Sequence, residues 1–132
     1  MVPIRVGFDL VAVASVEQAL RAAHGEHYLK RVYTEREVQD CRTPTGLDPE
    51  RLAARFAAKE ATIKVLPLDG EGLSLLSIEV QREPSGRVGL GLTGRAAELA
   101  AEAGIVDLAL SLTHDGGFAG AVVIAELRPV AS

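Results

Sequence analysis

The segment of residues 50–66 constrains the fold of this chain more than any other. It contains five alanines and neither glycine nor proline, and Pro67 follows it directly. Because alanine is the strongest helix former and proline cannot continue a helix, we predict a long helix over residues 50–66. The larger apolar residues fall on one stripe of that helix: Leu52, Phe56, Ile63 and Leu66. An apolar stripe must be buried, so the helix needs a packing partner.

The other segments predict a sheet as that partner. A strand that ends near Asp9 or Leu10 comes first, and three short helices follow it, the first capped by Ser15 and the third begun by a Thr34–Glu37 capping box. After the long helix we expect strands over residues 73–82 and 87–92, a helix from Thr93 to Gly104, and strands over residues 106–113 and 118–127. Loops are expected over residues 42–49 and 67–72. This order is typical of an α+β fold, with a largely antiparallel sheet packed on the long helix.

Composition narrows the class of protein. A length of 132 residues with 48% hydrophobic residues and no internal repeat predicts one domain over residues 1–132. The only cysteine, Cys41, cannot form an internal disulfide, which fits a reducing cytoplasm. No apolar run approaches the ~20 residues of a membrane helix, and the N-terminus does not resemble a signal peptide. The formal net charge of −4 argues against non-specific nucleic-acid binding.

Three charged residues of the long helix point to chemistry. Glu60 and Lys64 lie one turn apart on the same side, so a surface ion pair is the structural alternative. Lys64 is nevertheless one of only three lysines, and a second, Lys59, is close by. A compact ammonium group suits phosphate better than guanidinium does. Lys59 falls within the apolar stripe, where it must snorkel, pair with a carboxylate or face a cleft.

Two residues outside the helix extend this set. Asp9 interrupts an apolar strand, a position where aspartate is rare. It is either a strand-end or capping residue or a metal ligand. Two carboxylates, Asp9 and Glu60, are the usual minimum for a Mg²⁺ site whose other ligands are water and phosphate oxygens. His114 ends a strand beside a glycine-rich turn, where a structural role is the alternative to a functional one.

A cluster of basic residues also has two interpretations. Lys30, Arg31, Arg36 and Arg42 lie within a short span. They form either a solvated helix face or a docking surface for an acidic partner.

Four segments together resemble the holo-acyl-carrier-protein synthases, the small 4′-phosphopantetheinyl transferases. In chain order they are Gly7-Phe-Asp9-Leu-Val, Tyr33-Thr-Glu-Arg-Glu37, Leu52-Ala-Ala-Arg-Phe-Ala-Ala-Lys-Glu-Ala61 with Lys64, and Ser111-Leu-Thr-His114 followed by Phe118. The third matches the signature helix of the family and is the most specific. The four blocks keep the order and spacing of the family across nearly the whole chain.

The resemblance implies a reaction and a set of roles. The enzyme would transfer 4′-phosphopantetheine from coenzyme A to a serine of an apo acyl carrier protein of the fatty-acid or polyketide type, releasing adenosine 3′,5′-bisphosphate. Asp9 and Glu60 would hold Mg²⁺, and Lys64 would neutralise the phosphates. Glu60, directly or through a metal-bound water, would accept the serine proton. The family also implies a homotrimer with active sites at subunit interfaces.

The resemblance further assigns the nucleotide end of coenzyme A. Arg55 and His114 would grip it, including the 3′-phosphate, with Thr113 beside them.

The chain departs from the family pattern in two places. Ala12 and Ser15 stand where an acid and a carrier-docking arginine are usual, and Gly46 and Leu47 replace basic residues before the signature helix. The first departure makes a polyketide or peptide carrier an alternative acceptor. It also motivates a second functional hypothesis, a catalytically weak member that binds carrier or coenzyme A as a module. A third hypothesis is a metal-dependent diphosphate hydrolase.

Overall fold

The computed structural model describes residues 2–68 and 72–129, and its elements surround one central helix. In chain order they are β1 (Ile4–Ala12), α1 (Val13–Arg21), α2 (Gly25–Val32), α3 (Glu35–Asp40), β2 (Arg42–Thr43), β3 (Gly46–Leu47), α4 (Pro49–Ile63), a 3₁₀ turn (Leu75–Ser77), β4 (Ile78–Arg82), β5 (Val88–Leu92), α5 (Gly94–Ala103), β6 (Ile105–Asp115) and β7 (Phe118–Leu127). No helix of these residues is long and apolar enough to cross a membrane.

The central helix, α4, is the long helix that the sequence predicts, with slightly different ends. It begins one residue earlier than expected because the Asp48 carboxylate accepts hydrogen bonds from the backbone N–H groups of Glu50 and Arg51, at 3.0 and 3.4 Å. It ends at Ile63 rather than at Leu66, since the last backbone N–H groups turn to 3₁₀-type acceptors. Four of its alanines are fully buried: Ala53, Ala57, Ala58 and Ala61.

The largest sheet packs on α4 and is antiparallel throughout. Its strand order is β1-β7-β6, so β7 is central. Every second residue of β7 from position 119 to position 125 faces α4, and all of these are small or β-branched and buried: Ala119, Ala121, Val123 and Ala125. Small side chains on both surfaces allow the helix to approach the sheet closely, and Gly7 on β1 lies against the carbonyl oxygen of Ala61. The predicted α+β fold with a sheet on the long helix is confirmed.

Two smaller hairpins complete the strands, and here two expectations were wrong. β4 pairs with β5, and β2 with β3, so the loop expected over residues 42–49 contains a short hairpin. The strand expected from residue 73 begins only at Ile78. The Ser74 hydroxyl accepts a hydrogen bond from the Leu76 backbone N–H, which stabilises the preceding 3₁₀ turn. Part of the loop expected over residues 67–72 lies outside the described residues.

Two of the predicted helix ends are confirmed and one is wrong. Thr34 and Glu37 form the predicted capping box at α3, and Gly104 ends α5 with a φ of 78°. Ser15 is not a cap, because α1 already begins at Val13. The Val13 N–H donates to the Gly117 carbonyl oxygen at 2.9 Å, so the helix starts directly from the end of β1.

The contact between Gly7 and α4 gives a test of the fold. A methyl group at position 7 would overlap the Ala61 carbonyl oxygen, whereas the space around Gly89 on β5 is open within 4 Å. We expect Gly7→Ala to lower the free energy of unfolding by about 1–3 kcal/mol, because helix and sheet must separate. Gly89→Ala is the matched control and should change it little. Urea denaturation of both variants measures this, and equal values would contradict the close contact.

Candidate active site

Asp9 and Lys64 meet where α4 ends above β1. Asp9 lies on the face of β1 that packs on α4, opposite Ala121. The Lys64 ammonium donates to the Phe8 carbonyl oxygen at 2.6 Å and lies 3.4 Å from the Asp9 carboxylate. Among the described residues, the ion pair of Lys64 therefore joins it to another element rather than to Glu60. The site is held together across the helix–sheet interface.

Glu60 faces the same space as Asp9. Partial burial raises the pKa of the Glu60 carboxyl above its usual value, and the negative charge of Asp9 raises it further, while Lys64 opposes both effects. Two carboxylates that repel each other in a half-buried site are disposed to share a cation or a proton. No group of three or more histidine, cysteine, aspartate and glutamate ligands is found in the described part of the chain.

Arg55 is a buried cation with unused donor capacity. It is only 4% exposed, and its Nη1 donates to the Arg51 carbonyl oxygen at 3.3 Å. Its Nε has no hydrogen-bond partner among the described residues. An unsatisfied buried guanidinium donor is costly unless an anion or water completes it.

His114 lies at the start of α4. Its Nδ1 is 2.8 Å from the Glu50 carboxylate, and both side chains are exposed. His114 pairs with Ala119 on the α4 side of the sheet. Thr113 pairs with Gly120 and faces the opposite side. The structure thus brings His114, but not Thr113, to the side of the sheet that carries α4.

The sequence did not reveal the partner of Lys59. The Lys59 side chain is fully buried, and its ammonium lies 2.8 Å from the equally buried Glu37 carboxylate. Of the three environments expected for Lys59, the structure has the carboxylate pair. Glu37 was expected only to complete the capping box, and its second role had no local signal because the two residues meet through tertiary packing.

The basic cluster lies on exposed surface. Lys30 and Arg42 line a groove of about 700 Å³, together with the apolar side chains of Leu29, Val38 and Leu76. Arg36 is also exposed and donates to the Arg82 carbonyl oxygen at 3.3 Å. By contrast, the exposed face of α1 is nearly neutral, with Ser15 and a paired Arg21, 3.6 Å from Glu17.

Comparison with known proteins identifies the family. A family model described as the 4′-phosphopantetheinyl transferase superfamily matches residues 5–123. A holo-[acyl-carrier-protein] synthase of Chloroflexus aurantiacus is 43% identical over 90% of this chain and 95% of the relative. A holo-[acyl-carrier-protein] synthase of Salinispora arenicola is 42% identical over 93% of this chain and 98% of its own.

Solved structures agree in fold. A Chronobacterium ammoniagenes ACPS–CoA complex superposes with a TM-score of 0.82 at 33% identity, over 96% of this chain and 99% of the other. A Helicobacter pylori holo-[acyl-carrier-protein] synthase in complex with coenzyme A gives 0.77 at 29% identity, over 92% and 99%. The chain therefore belongs to the holo-acyl-carrier-protein synthase family of 4′-phosphopantetheinyl transferases, as its four sequence blocks predicted.

Proposed function

We propose that this chain is a Mg²⁺-dependent enzyme that transfers 4′-phosphopantetheine from coenzyme A to a serine of an apo acyl carrier protein. Coenzyme A-dependent phosphopantetheine transfer itself follows from the family and from its coenzyme A complexes. The observation that carries the fuller proposal is the meeting of Asp9, Glu60 and Lys64 across the helix–sheet interface.

The residues present fit a magnesium ion. Asp9 and Glu60 offer carboxylate oxygens, which hard cations prefer, and their mutual repulsion would be relieved by a divalent cation. Mg²⁺ commonly takes one or two carboxylates and keeps water and phosphate oxygens as its other ligands. When bound, it would neutralise charge on the diphosphate of coenzyme A.

The roles of the chain's own residues follow from the chemistry of phosphoryl transfer. A bond forms between the carrier serine oxygen and the phosphorus next to the pantetheine. The bond from that phosphorus to the bridging oxygen breaks, and adenosine 3′,5′-bisphosphate leaves with the oxygen. Lys64 stabilises the added negative charge, which is the main requirement of this reaction. Glu60 is the carboxylate that would accept the serine proton, directly or through water.

The nucleotide end has its own candidates. We assign Arg55, with its unused buried donor, and His114, near the start of α4, to the phosphate of the adenosine moiety. Thr113 lies on the other face of the sheet, so it would reach a nucleotide only from a neighbouring copy. Gly46 and Leu47 add no charge to this end.

The outward face of the sheet supports self-association, and the proposed assembly is a homotrimer. Large apolar side chains of β1 and β7 are exposed there: Ile4, Val6, Phe8, Leu10, Phe118 and Ile124. A contiguous exposed apolar patch indicates a protein interface. Asp9 lies on the same strand as Phe8 and Leu10, so an interface on this face places the site close to a neighbouring copy.

Two surfaces of the chain bear on the choice of carrier. The nearly neutral face of α1 and the basic groove at α2 and α3 leave both fatty-acid and polyketide carriers as candidates, and an acidic carrier would suit the groove.

The single domain and the reducing compartment expected from the sequence stay predictions.

The repulsion between Glu60 and Asp9 predicts that removing the Glu60 charge stabilises the folded protein. A folded-state pKa raised above its usual value means that ionised Glu60 costs stability, so this cost is present at neutral pH and disappears as the pH falls below the ordinary glutamate pKa. We expect Glu60→Gln to raise the unfolding midpoint of the metal-free protein at pH 7.5 and not at pH 4, while lowering transfer at least 100-fold.

Urea denaturation at the two pH values and a transfer assay measure this. Glu98→Gln, at an exposed position on α5, is the matched control and should change neither quantity. A destabilised Glu60→Gln variant at pH 7.5 would argue against paired carboxylates.

The transfer reaction is tested by intact mass spectrometry. Apo carriers from fatty-acid and polyketide systems are incubated with this protein, coenzyme A and Mg²⁺, with a chelator in the control. We expect one carrier to gain the mass of one phosphopantetheine group, and the chelator to prevent the gain. No gain on any carrier despite coenzyme A binding would favour a silent binding module. Free phosphopantetheine formed without a carrier would favour a hydrolase.

The assembly is tested by light scattering at micromolar concentration. We expect three times the chain mass for the wild-type protein. Val6→Glu, in the centre of the exposed apolar face and 60% exposed, should reduce the mass to that of one chain. Leu76→Glu, at an exposed apolar residue away from this face, is the matched control. A monomeric wild-type protein would remove the interface from the proposal.

A further inference from the structure

The face of α4 that contacts the sheet has few features to fix its position. Its buried residues are mostly alanines, and the fully buried residues of the sheet that face them are alanines, one valine and a glycine. Helices normally interlock through ridges of side chains that enter grooves. A surface of methyl groups gives shallow ridges, so rotation of α4 about its axis is weakly opposed by apolar packing. Some other contact must fix the direction in which its functional side chains point.

Lys59 supplies such a contact on the side of α4 away from β1. Its ammonium has three donors and three acceptors: the Leu75 carbonyl oxygen at 2.8 Å, the Ile78 carbonyl oxygen, and the Glu37 carboxylate at 2.8 Å. The side chain is fully buried, although burial lowers the pKa of the lysine and Glu37 only partly opposes this effect. Every donor of the buried cation is therefore used.

Glu37 extends the contact into the surrounding elements. Its Oε1 also accepts from the Thr34 backbone N–H at 2.9 Å, and its Oε2 accepts from the Val80 backbone N–H at 2.8 Å. The network thus ties α4 to α3, to the 3₁₀ turn and to β4. A buried network whose members are all satisfied is rigid and specifies one arrangement.

The next residue along the chain is Glu60. Successive helix residues are about 100° apart, so a fixed direction for Lys59 also fixes the direction of Glu60. Buried ion pairs contribute little net stability compared with apolar packing, and their best-attested use is to specify register. The Lys59–Glu37 pair is therefore suited to fix the direction of Glu60 rather than to add stability.

We propose that Lys59 is a positioning residue that fixes the rotation of α4, so that Glu60 and Lys64 face Asp9. The inference rests on the proposed function, since it concerns the same site. Lys59 itself does not touch the substrate in this role. It acts through Glu37, Leu75 and Ile78 on the far side of the helix.

The test compares Lys59→Met with a control of similar stability loss. Leu99→Ala removes a core side chain of α5 and belongs to no proposed site. At a temperature where both variants are folded by circular dichroism, we measure kcat, the KM for coenzyme A, and the Kd for Mn²⁺ with coenzyme A present. We expect Lys59→Met to lower kcat and to weaken Mn²⁺ binding at least tenfold, and Leu99→Ala to stay within threefold of wild type.

The double variant Lys59→Met/Glu37→Gln separates positioning from stability. It removes the unpaired buried charge, so it should unfold at higher temperature than Lys59→Met while kcat stays at least tenfold low. Recovery of both quantities would overturn the inference, as would equal effects of Lys59→Met and Leu99→Ala.

A further variant, Glu37→Gln, keeps the inference testable if Lys59→Met folds poorly. Glu37→Gln keeps the size of the side chain and loses its charge, and unchanged kcat and Mn²⁺ binding in this variant would also overturn the inference. Failure of the proposed function would be seen separately, as a wild-type protein that modifies no carrier. The Mn²⁺ measurements would then still report the geometry of the site.

Discussion

The close approach of α4 to the sheet is the constraint on which the rest of the structure depends. Gly7 has no side chain, and the Ala61 carbonyl oxygen occupies the space that a methyl group would fill. This contact brings the C-terminal half of α4 onto β1, where Lys64 reaches both the Phe8 carbonyl oxygen and Asp9. The same small residues that let helix and sheet approach have shallow surfaces, which do little to fix the orientation of the helix on the sheet. Polar contacts on both sides of α4 supply that constraint.

The candidate site is assembled at an electrostatic cost. Asp9 and partial burial both oppose ionisation of Glu60, and Lys64 offsets only part of that effect. Arg55 likewise keeps a buried donor without a partner among the described residues. The C-terminal end of α4 thus has two carboxylates beside one lysine, whereas the middle of the helix has a buried guanidinium with one unused donor. Such a distribution is typical of functional sites.

Local sequence signals predicted the elements that depend on local contacts. The alanine-rich segment, the Thr34–Glu37 capping box and the glycine at the end of α5 all formed as expected. Ser15 failed as a cap because the Val13 N–H finds its acceptor in Gly117, which is distant in sequence. Residue type and position singled out Asp9, Glu60 and Lys64, but helix geometry alone favoured a surface ion pair of Glu60 and Lys64. The family resemblance decided for a shared site. The Lys59–Glu37 contact joins α4 to α3, and no local sequence pattern predicts a contact between two such elements.

The buried pair of Lys59 and Glu37 has a consequence for how this chain can change over time. A substitution at either position leaves the other charge buried without its counterion, which is strongly destabilising. The backbone groups of Thr34, Val80, Leu75 and Ile78 depend on the same two side chains. The two positions are therefore expected to change together, because an apolar replacement of one leaves a buried charge that only a second change can remove.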